Sequence, residues 1–153
     1  MRAVVVVAHA QHRRLDRVEP LVRELPEHAR AVLAGSPDRP PAPFVDFPVC
    51  GALLLALAMV DLDRGRAGDE HAARSGVRLV ALAERFQYLR NFQPTMSAER
   101  AREAARHAAG PAYADAVSAY AGLTPGELRP AALAVLADRQ AAGSRLNSAF
   151  AQT

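Results

Sequence analysis

The residues best suited to binding chemistry concentrate in one short stretch, RFQYLRNFQPTMS at residues 85–97, which holds three of the chain's eight aromatic residues. Tyr, Arg and Met side chains are enriched at the centres of protein interfaces. The stretch therefore suggests a surface that contacts a peptide or a small ligand. Its members would be Tyr88, Arg90, Asn91, Phe92 and Met96.

The same stretch also has the pattern of a corner between two helices. Leu79, Leu82 and Phe86 follow each other at steps of three and four residues, which predicts a buried stripe on one helical face. Asn91 tolerates the left-handed conformation that often ends a helix, and Pro94 cannot continue one. Packing and binding at this corner are compatible, so both interpretations stay open.

A second candidate site is a pocket between helices, lined by Phe86, Tyr88, Tyr113 and Tyr120. Such a pocket would suit a small-molecule sensor or a small helical enzyme. An enclosed pocket with two or more convergent polar groups would favour a ligand or catalysis, whereas an apolar patch or groove would favour a partner surface.

Metal chemistry has little support in the sequence. DLDRGRAGDEHA begins like a calcium loop at Asp61 and Asp63, but Gly65 stands at the next ligand position, Arg66 where glycine is required, and Ala72 where the closing Glu belongs. We therefore expect no metal site, and no cofactor is indicated.

No catalytic residue can be assigned from sequence either. His9 and His12 lack a third ligand or a carboxylate partner, and the single cysteine, Cys50, adjoins an apolar run where a thiol is usually inert. The phosphate-binding and nucleophile-elbow motifs are absent.

Composition favours a single helical domain. Half of the 153 residues are apolar and only 5% are aromatic, because Ala, Leu and Val dominate. We expect an all-α fold of antiparallel helical hairpins with six to seven helices, either tetratricopeptide-like or an irregular helical bundle.

All nineteen basic residues are arginine, and the chain lacks lysine and isoleucine. This bias is typical of GC-rich coding, as in actinobacteria, and it accounts for the high isoelectric point. The net charge is only +3, so we do not expect nucleic acid as a partner.

The pattern predicts N-terminal helices at 1–35, a proline-rich linker at 36–47, a helical core at 48–142 and a frayed tail at 143–153. Residues 3–12 could form a strand or a helix, and a helix is favoured because no second strand is available to pair. Pro26 is expected to kink or restart its helix. Residues 61–76 read as a polar connection whose later half could already be helical. Ser97 and Thr124 read as helix caps.

The longest apolar run, 49–60, is twelve residues, shorter than the roughly twenty that span a bilayer. The first residues lack the features of a signal peptide. We expect a cytoplasmic protein with no membrane contact.

Two segments, 76–123 and 47–65, resemble the C-terminal helical, tetratricopeptide-like region of large actinobacterial transcriptional regulators of the AfsR type. ERFQYLRNFQPTMS carries much of this resemblance. It implies a helical interaction or regulatory module in the transcriptional control of secondary metabolism. Such a module would act on a protein partner or by self-association, for example as a homodimer. No winged helix or Walker motif is present, so DNA binding and ATP hydrolysis are not implied. The alternatives are a small helical enzyme or ligand sensor, and a structural fragment without activity of its own.

Overall fold

The computed structural model describes residues 2–35, 43–86 and 94–150. Within these ranges the chain forms six α-helices, two short 3₁₀ turns and no β-strand, which confirms the predicted all-α class. The helices are α1 (Arg2–Gln11), α2 (Glu19–Ala34), α3 (Pro43–Arg66), α4 (Glu70–Arg85), α5 (Ala98–Ala121) and α6 (Pro125–Phe150), and the 3₁₀ turns are Leu15–Val18 and Pro94–Met96.

The N-terminal segment is helical, as expected. Ala3, Val6 and Ala10 of α1 lie on one buried face, because side chains three and four residues apart share a side of a helix. The end of α1 is unusual, since Arg13 adopts a left-handed conformation with φ of 54°.

Helix α2 runs without interruption through Pro26, so the helix does not restart there. Leu25, Ala29 and Leu33 form its buried stripe, and this apolar face stabilises the helix through packing despite the missing backbone hydrogen bond at Pro26.

Helix α3 is the centre of the fold, as its apolar sequence predicts. Every residue from Leu53 to Leu62 is buried, because the other helices pack around it. The helix begins at Pro43, within the segment predicted as a linker, and continues to Arg66. The interpretation of residues 61–66 as a polar connection is therefore wrong, and Asp61 lies inside the buried helix.

Helices α3 and α4 form a tight antiparallel hairpin at two glycines. A Cβ atom added at Gly65 would lie 2.8 Å from the Ala73 Cβ and 2.9 Å from its Cα, and one at Gly76 would lie 2.8 Å from the Leu62 side chain. Asp69 begins α4 by accepting a hydrogen bond from the Ala72 amide at 2.9 Å. This close approach fixes Ser75 of α4 beside Asp61 of α3.

Helix α5 bends at Ala109, where the backbone leaves helical geometry just before Gly110 and Pro111. Ser97 caps α5 through its hydroxyl, which accepts a hydrogen bond from the Arg100 amide at 3.4 Å. Helix α6 extends to Phe150, beyond the start of the predicted frayed tail. None of the helices in the described ranges combines the length and the apolar content needed to cross a bilayer.

Candidate functional site

The predicted surface at residues 85–97 lies largely outside the described ranges. Tyr88, Arg90, Asn91 and Phe92 belong to the segment 87–93, so their role stays a prediction. Met96 is described, and only 4% of its surface is exposed. Met96 therefore belongs to the core and not to an exposed contact surface, because the 3₁₀ turn directs its thioether against the neighbouring helices.

The aromatic residues of the second predicted site do not gather around one space. Phe86 is buried against Phe47, with ring centroids 5.1 Å apart. The Tyr113 hydroxyl donates a hydrogen bond to the Glu84 carboxylate at 3.1 Å, whereas the Tyr120 hydroxyl accepts one from Arg78 Nε at 3.1 Å. These three aromatic residues thus brace helix contacts at separate places, and Tyr88 lies outside the described ranges.

Polar side chains instead converge in a cleft of about 590 Å³ between α2, α3, α4 and α6. We name it the arginine cleft after four of its lining residues, Arg23, Arg30, Arg64 and Arg139. Three carboxylates, Glu27, Asp61 and Asp69, also line it, together with His71 and Ser75.

The base of the arginine cleft is a buried ion pair between Asp61 and Arg139. Arg139 Nε lies 2.9 Å from Asp61 Oδ1 and 2.8 Å from Oδ2, and its Nη2 lies 2.8 Å from Oδ1. The Ser75 hydroxyl donates a fourth contact to Asp61 Oδ2 at 2.7 Å. Asp61 is 1% exposed, so both oxygens of a desolvated carboxylate have partners, as burial of a charge requires.

Around this base, three charged or ionisable side chains face the cleft with no hydrogen bond or ion pair inside the described ranges. They are Arg64, Glu27 and His71, and each comes from a different helix. Arg30 is partly satisfied, since its Nη2 donates to the Leu136 carbonyl at 3.1 Å. The rim therefore offers a free guanidinium, a free imidazole and a free carboxylate to a molecule in the cleft.

The first turn of α4 also borders the cleft through Asp69, His71 and Ala72. The amino end of a helix carries a partial positive charge. The Asp69 carboxylate caps this end and offsets part of its partial positive charge. The cleft therefore carries charges of both signs, with a small positive excess.

Asp61, His71 and Ser75 are the residue types of a serine hydrolase relay, but their contacts do not make one. Ser75 donates its proton to Asp61, whereas a nucleophilic serine donates to a histidine base. His71 has no such contact within the described ranges. These three side chains therefore do not form an acyl-transfer relay.

The thiol of the single cysteine lies in the core and outside the arginine cleft. Cys50 is fully buried, and burial raises the pKa of its thiol, which lowers its nucleophilicity. In the described part of the chain, no group of three or more His, Cys, Asp or Glu side chains is arranged to hold a metal ion.

The comparisons with known proteins give no relative: no family model, curated protein or solved structure matches this chain.

The central residues of the cleft were missed by sequence reasoning. Asp61 was interpreted as part of a loop, and its partners lie 14 and 78 residues away. One local signal existed. Asp61 directly follows the apolar run 49–60, and a helix that is apolar on every side is enclosed by others, so its next residue is buried too.

Proposed function

We propose that this chain is a helical sensor that binds a small polar molecule with a carboxylate group in the arginine cleft. The observation that supports it best is the buried Asp61–Arg139 pair at the base of an open cleft. Replacing a buried ion pair by apolar residues of similar volume is often neutral or stabilising. We infer that the pair, lying under an open space, also serves the binding of a ligand in the cleft.

The size and lining of the cleft suit a small molecule. Ligand sites commonly have volumes of roughly 300–1,000 Å³, and the arginine cleft has about 590 Å³. Arg64 is the natural contact for a ligand carboxylate, because a guanidinium can donate two parallel hydrogen bonds to it.

The acidic residues of the cleft restrict the charge of the ligand. Glu27 and Asp69 would repel a molecule with several negative charges, and the free Glu27 carboxylate could accept an ammonium group. A monoanion or a zwitterion such as an amino acid therefore fits this lining better than a polyphosphate.

This proposal corresponds to the sensor alternative and does not depend on the resemblance to AfsR-type regulators. A part in transcription, a protein partner and self-association stay predictions. If the resemblance is sound, ligand binding in the cleft would be the input to such a regulatory role.

The proposal is tested by thermal unfolding of the purified chain with a panel of amino acids, monocarboxylates and dicarboxylates. A ligand that binds only the folded state raises the melting temperature in a saturable way. We expect at least one compound to do so, and the shift to disappear in Arg64→Gln.

Arg100→Gln is the matched control, because Arg100 is exposed on α5, carries the same charge and does not line the cleft. A shift that persists in Arg64→Gln, or that is lost equally in Arg100→Gln, would rule out the arginine cleft as the site. The absence of any saturable shift in the wild type would contradict the proposed ligand class.

A further inference from the structure

A second cavity lies on another face of the molecule, between the end of α1, the end of α3 and the middle of α5. Its volume is about 610 Å³. We name it the basic notch, and its lining consists of Gln11, Arg13, Gly65, Arg66, His107 and Ala108. It shares no lining residue with the arginine cleft.

The lining of the basic notch differs in charge from that of the arginine cleft. Arg13, Arg66 and His107 come from three separate segments, and no carboxylate is among the lining residues that belong to the described ranges. The Arg13 and His107 side chains have no partner within the described ranges. Arg66 makes one long contact to Asp63, at 3.4 Å, which leaves most of its donors available.

The backbone at Arg13 gives an independent indication. The Arg13 amide donates to the Ala10 carbonyl at 3.2 Å, and the Arg14 amide donates to the His9 carbonyl at 2.8 Å. These two bonds form a Schellman motif, in which the residue at the position of Arg13 is usually glycine because φ is positive. Arg13 has φ of 54°, a conformation that is unfavourable for a residue with a Cβ atom.

Charge at the helix end does not explain why arginine occupies this strained position. The motif already satisfies the last carbonyls of α1, and the adjacent Arg14 supplies a positive charge near the same helix end. What Arg13 adds is a guanidinium on the wall of the basic notch. Strain kept at one residue is a reason to look for a function of its side chain.

From this geometry we infer that the basic notch binds the phosphoryl group of a phosphate monoester. A tetrahedral phosphate presents three oxygens and can be met by donors from three directions, here Arg13, Arg66 and His107. The cavity is much larger than a phosphate ion, so it leaves room for the organic part of an ester.

The test is calorimetric titration of the purified chain with inorganic phosphate, phenyl phosphate and acetate at low salt. We expect phenyl phosphate to bind more tightly than inorganic phosphate, and acetate at least tenfold more weakly than either. Equal binding of acetate and phenyl phosphate would overturn the assignment to a phosphoryl group.

Arg13→Gly separates binding from folding. Glycine accepts the left-handed conformation, so we expect the melting temperature to rise by roughly 2–4 °C. The affinity for phenyl phosphate should fall at least tenfold. If Arg13→Gly binds phenyl phosphate as the wild type does, the inference is wrong whatever its melting temperature.

Two controls identify the site. Arg14→Gln removes the same charge from the neighbouring residue, which does not line the basic notch, and should change the affinity less than twofold. Arg64→Gln, in the arginine cleft, should also leave phenyl phosphate binding intact. A loss in Arg14→Gln as large as in Arg13→Gly would show attraction by general surface charge and overturn the inference.

Discussion

Asp61 occupies a position where its charge would be costly without Arg139. Both carboxylate oxygens are held by the guanidinium, and Ser75 completes the contacts. Removing one partner of a buried pair leaves the other charge desolvated and alone, which is more damaging than removing both. This asymmetry makes the pair testable residue by residue.

We predict that Asp61→Ala lowers the free energy of unfolding by about 3–5 kcal/mol, because the Arg139 side chain, only 15% exposed, then lies largely desolvated without its counter-charge. Ser75→Ala should cost about 1–2 kcal/mol, since Arg139 still holds the carboxylate. Denaturant unfolding followed by circular dichroism measures both changes.

The double variant Asp61→Leu/Arg139→Met is the internal control for this prediction. It removes both charges and keeps apolar volume, so it should be more stable than Asp61→Ala. A double variant that unfolds as easily as the single one would show that the pair is not the source of the loss.

Tyr113 gives a prediction on pH. Burial, together with the negative charge of Glu84 and the hydrogen bond that Tyr113 donates to it, raises the pKa of Tyr113 to about 12. An unfolded tyrosine loses its proton near pH 10. The contribution of Tyr113 to stability is therefore complete below about pH 10 and is lost as the pH rises toward about 12.

The free energy of unfolding of the wild type should accordingly fall more steeply between about pH 10 and about pH 12 than that of Tyr113→Phe. Denaturant unfolding at several pH values measures the two slopes. Glu84→Gln should shift the tyrosinate absorbance of Tyr113 to lower pH, because the repelling carboxylate is gone. Parallel slopes in the wild type and Tyr113→Phe would contradict this prediction.

At the scale of helices, the hairpin of α3 and α4 depends on the missing side chain at Gly65. A Cβ atom there would meet the backbone of Ala73 at 2.9 Å, and backbone cannot move aside as a flexible side chain can. We predict that Gly65→Ala lowers the free energy of unfolding by about 1–3 kcal/mol.

Gly143→Ala is the matched control in α6, where an added Cβ atom would meet nothing within 4 Å. Alanine is the better helix former, so this change should raise stability by up to about 1 kcal/mol. Calorimetric melting of both variants distinguishes close packing from helix propensity. If Gly65→Ala also raises the free energy of unfolding, α3 and α4 can move apart without a loss of stability.

Sequence patterns predicted much of the individual helices because the causes lie within a few residues. The three- and four-residue steps of Leu79, Leu82 and Phe86 placed these side chains in the core, where all three are buried. The cap at Ser97 was equally local. A restart at Pro26 does not occur because packing of the α2 face, which local propensity does not contain, keeps the helix continuous.

The site was less predictable because its contacts join distant parts of the chain. Arg139 meets Asp61 across 78 residues, and no periodicity within one helix encodes that pairing. The same limit explains why the burial of Met96 was not predicted. Its side chain type suits an interface, but its burial depends on helices that are remote in sequence.

At the scale of the whole molecule, the apolar interior is continuous. One cluster of buried side chains includes Val6, Leu33, Leu57, Leu82 and Leu136, with further members from α5. We predict a single cooperative unfolding transition, in which circular dichroism and tyrosine fluorescence change together. A separate early change in either signal would indicate that one helix detaches before the rest.

Helix α6 closes this interior by polar as well as apolar contacts. Arg129 Nη2 lies 3.4 Å from Asp46, and Asp138 lies 3.1 Å from Arg78 Nη1. These pairs are partly exposed and each contributes little. The contact of Arg139 with Asp61 differs from them because it reaches a fully buried carboxylate in the middle of α3.

The buried thiol of Cys50 is a natural probe of the motions that open the interior. It is the only thiol, it lies in the central helix, and both its burial and its raised pKa protect it from reagents. A thiol reagent would react with Cys50 only when α3 opens, so the rate at which molecules are labelled reports that opening. With no engineered label, the rate of that reaction would report how a molecule bound in either cavity slows the motions of the interior.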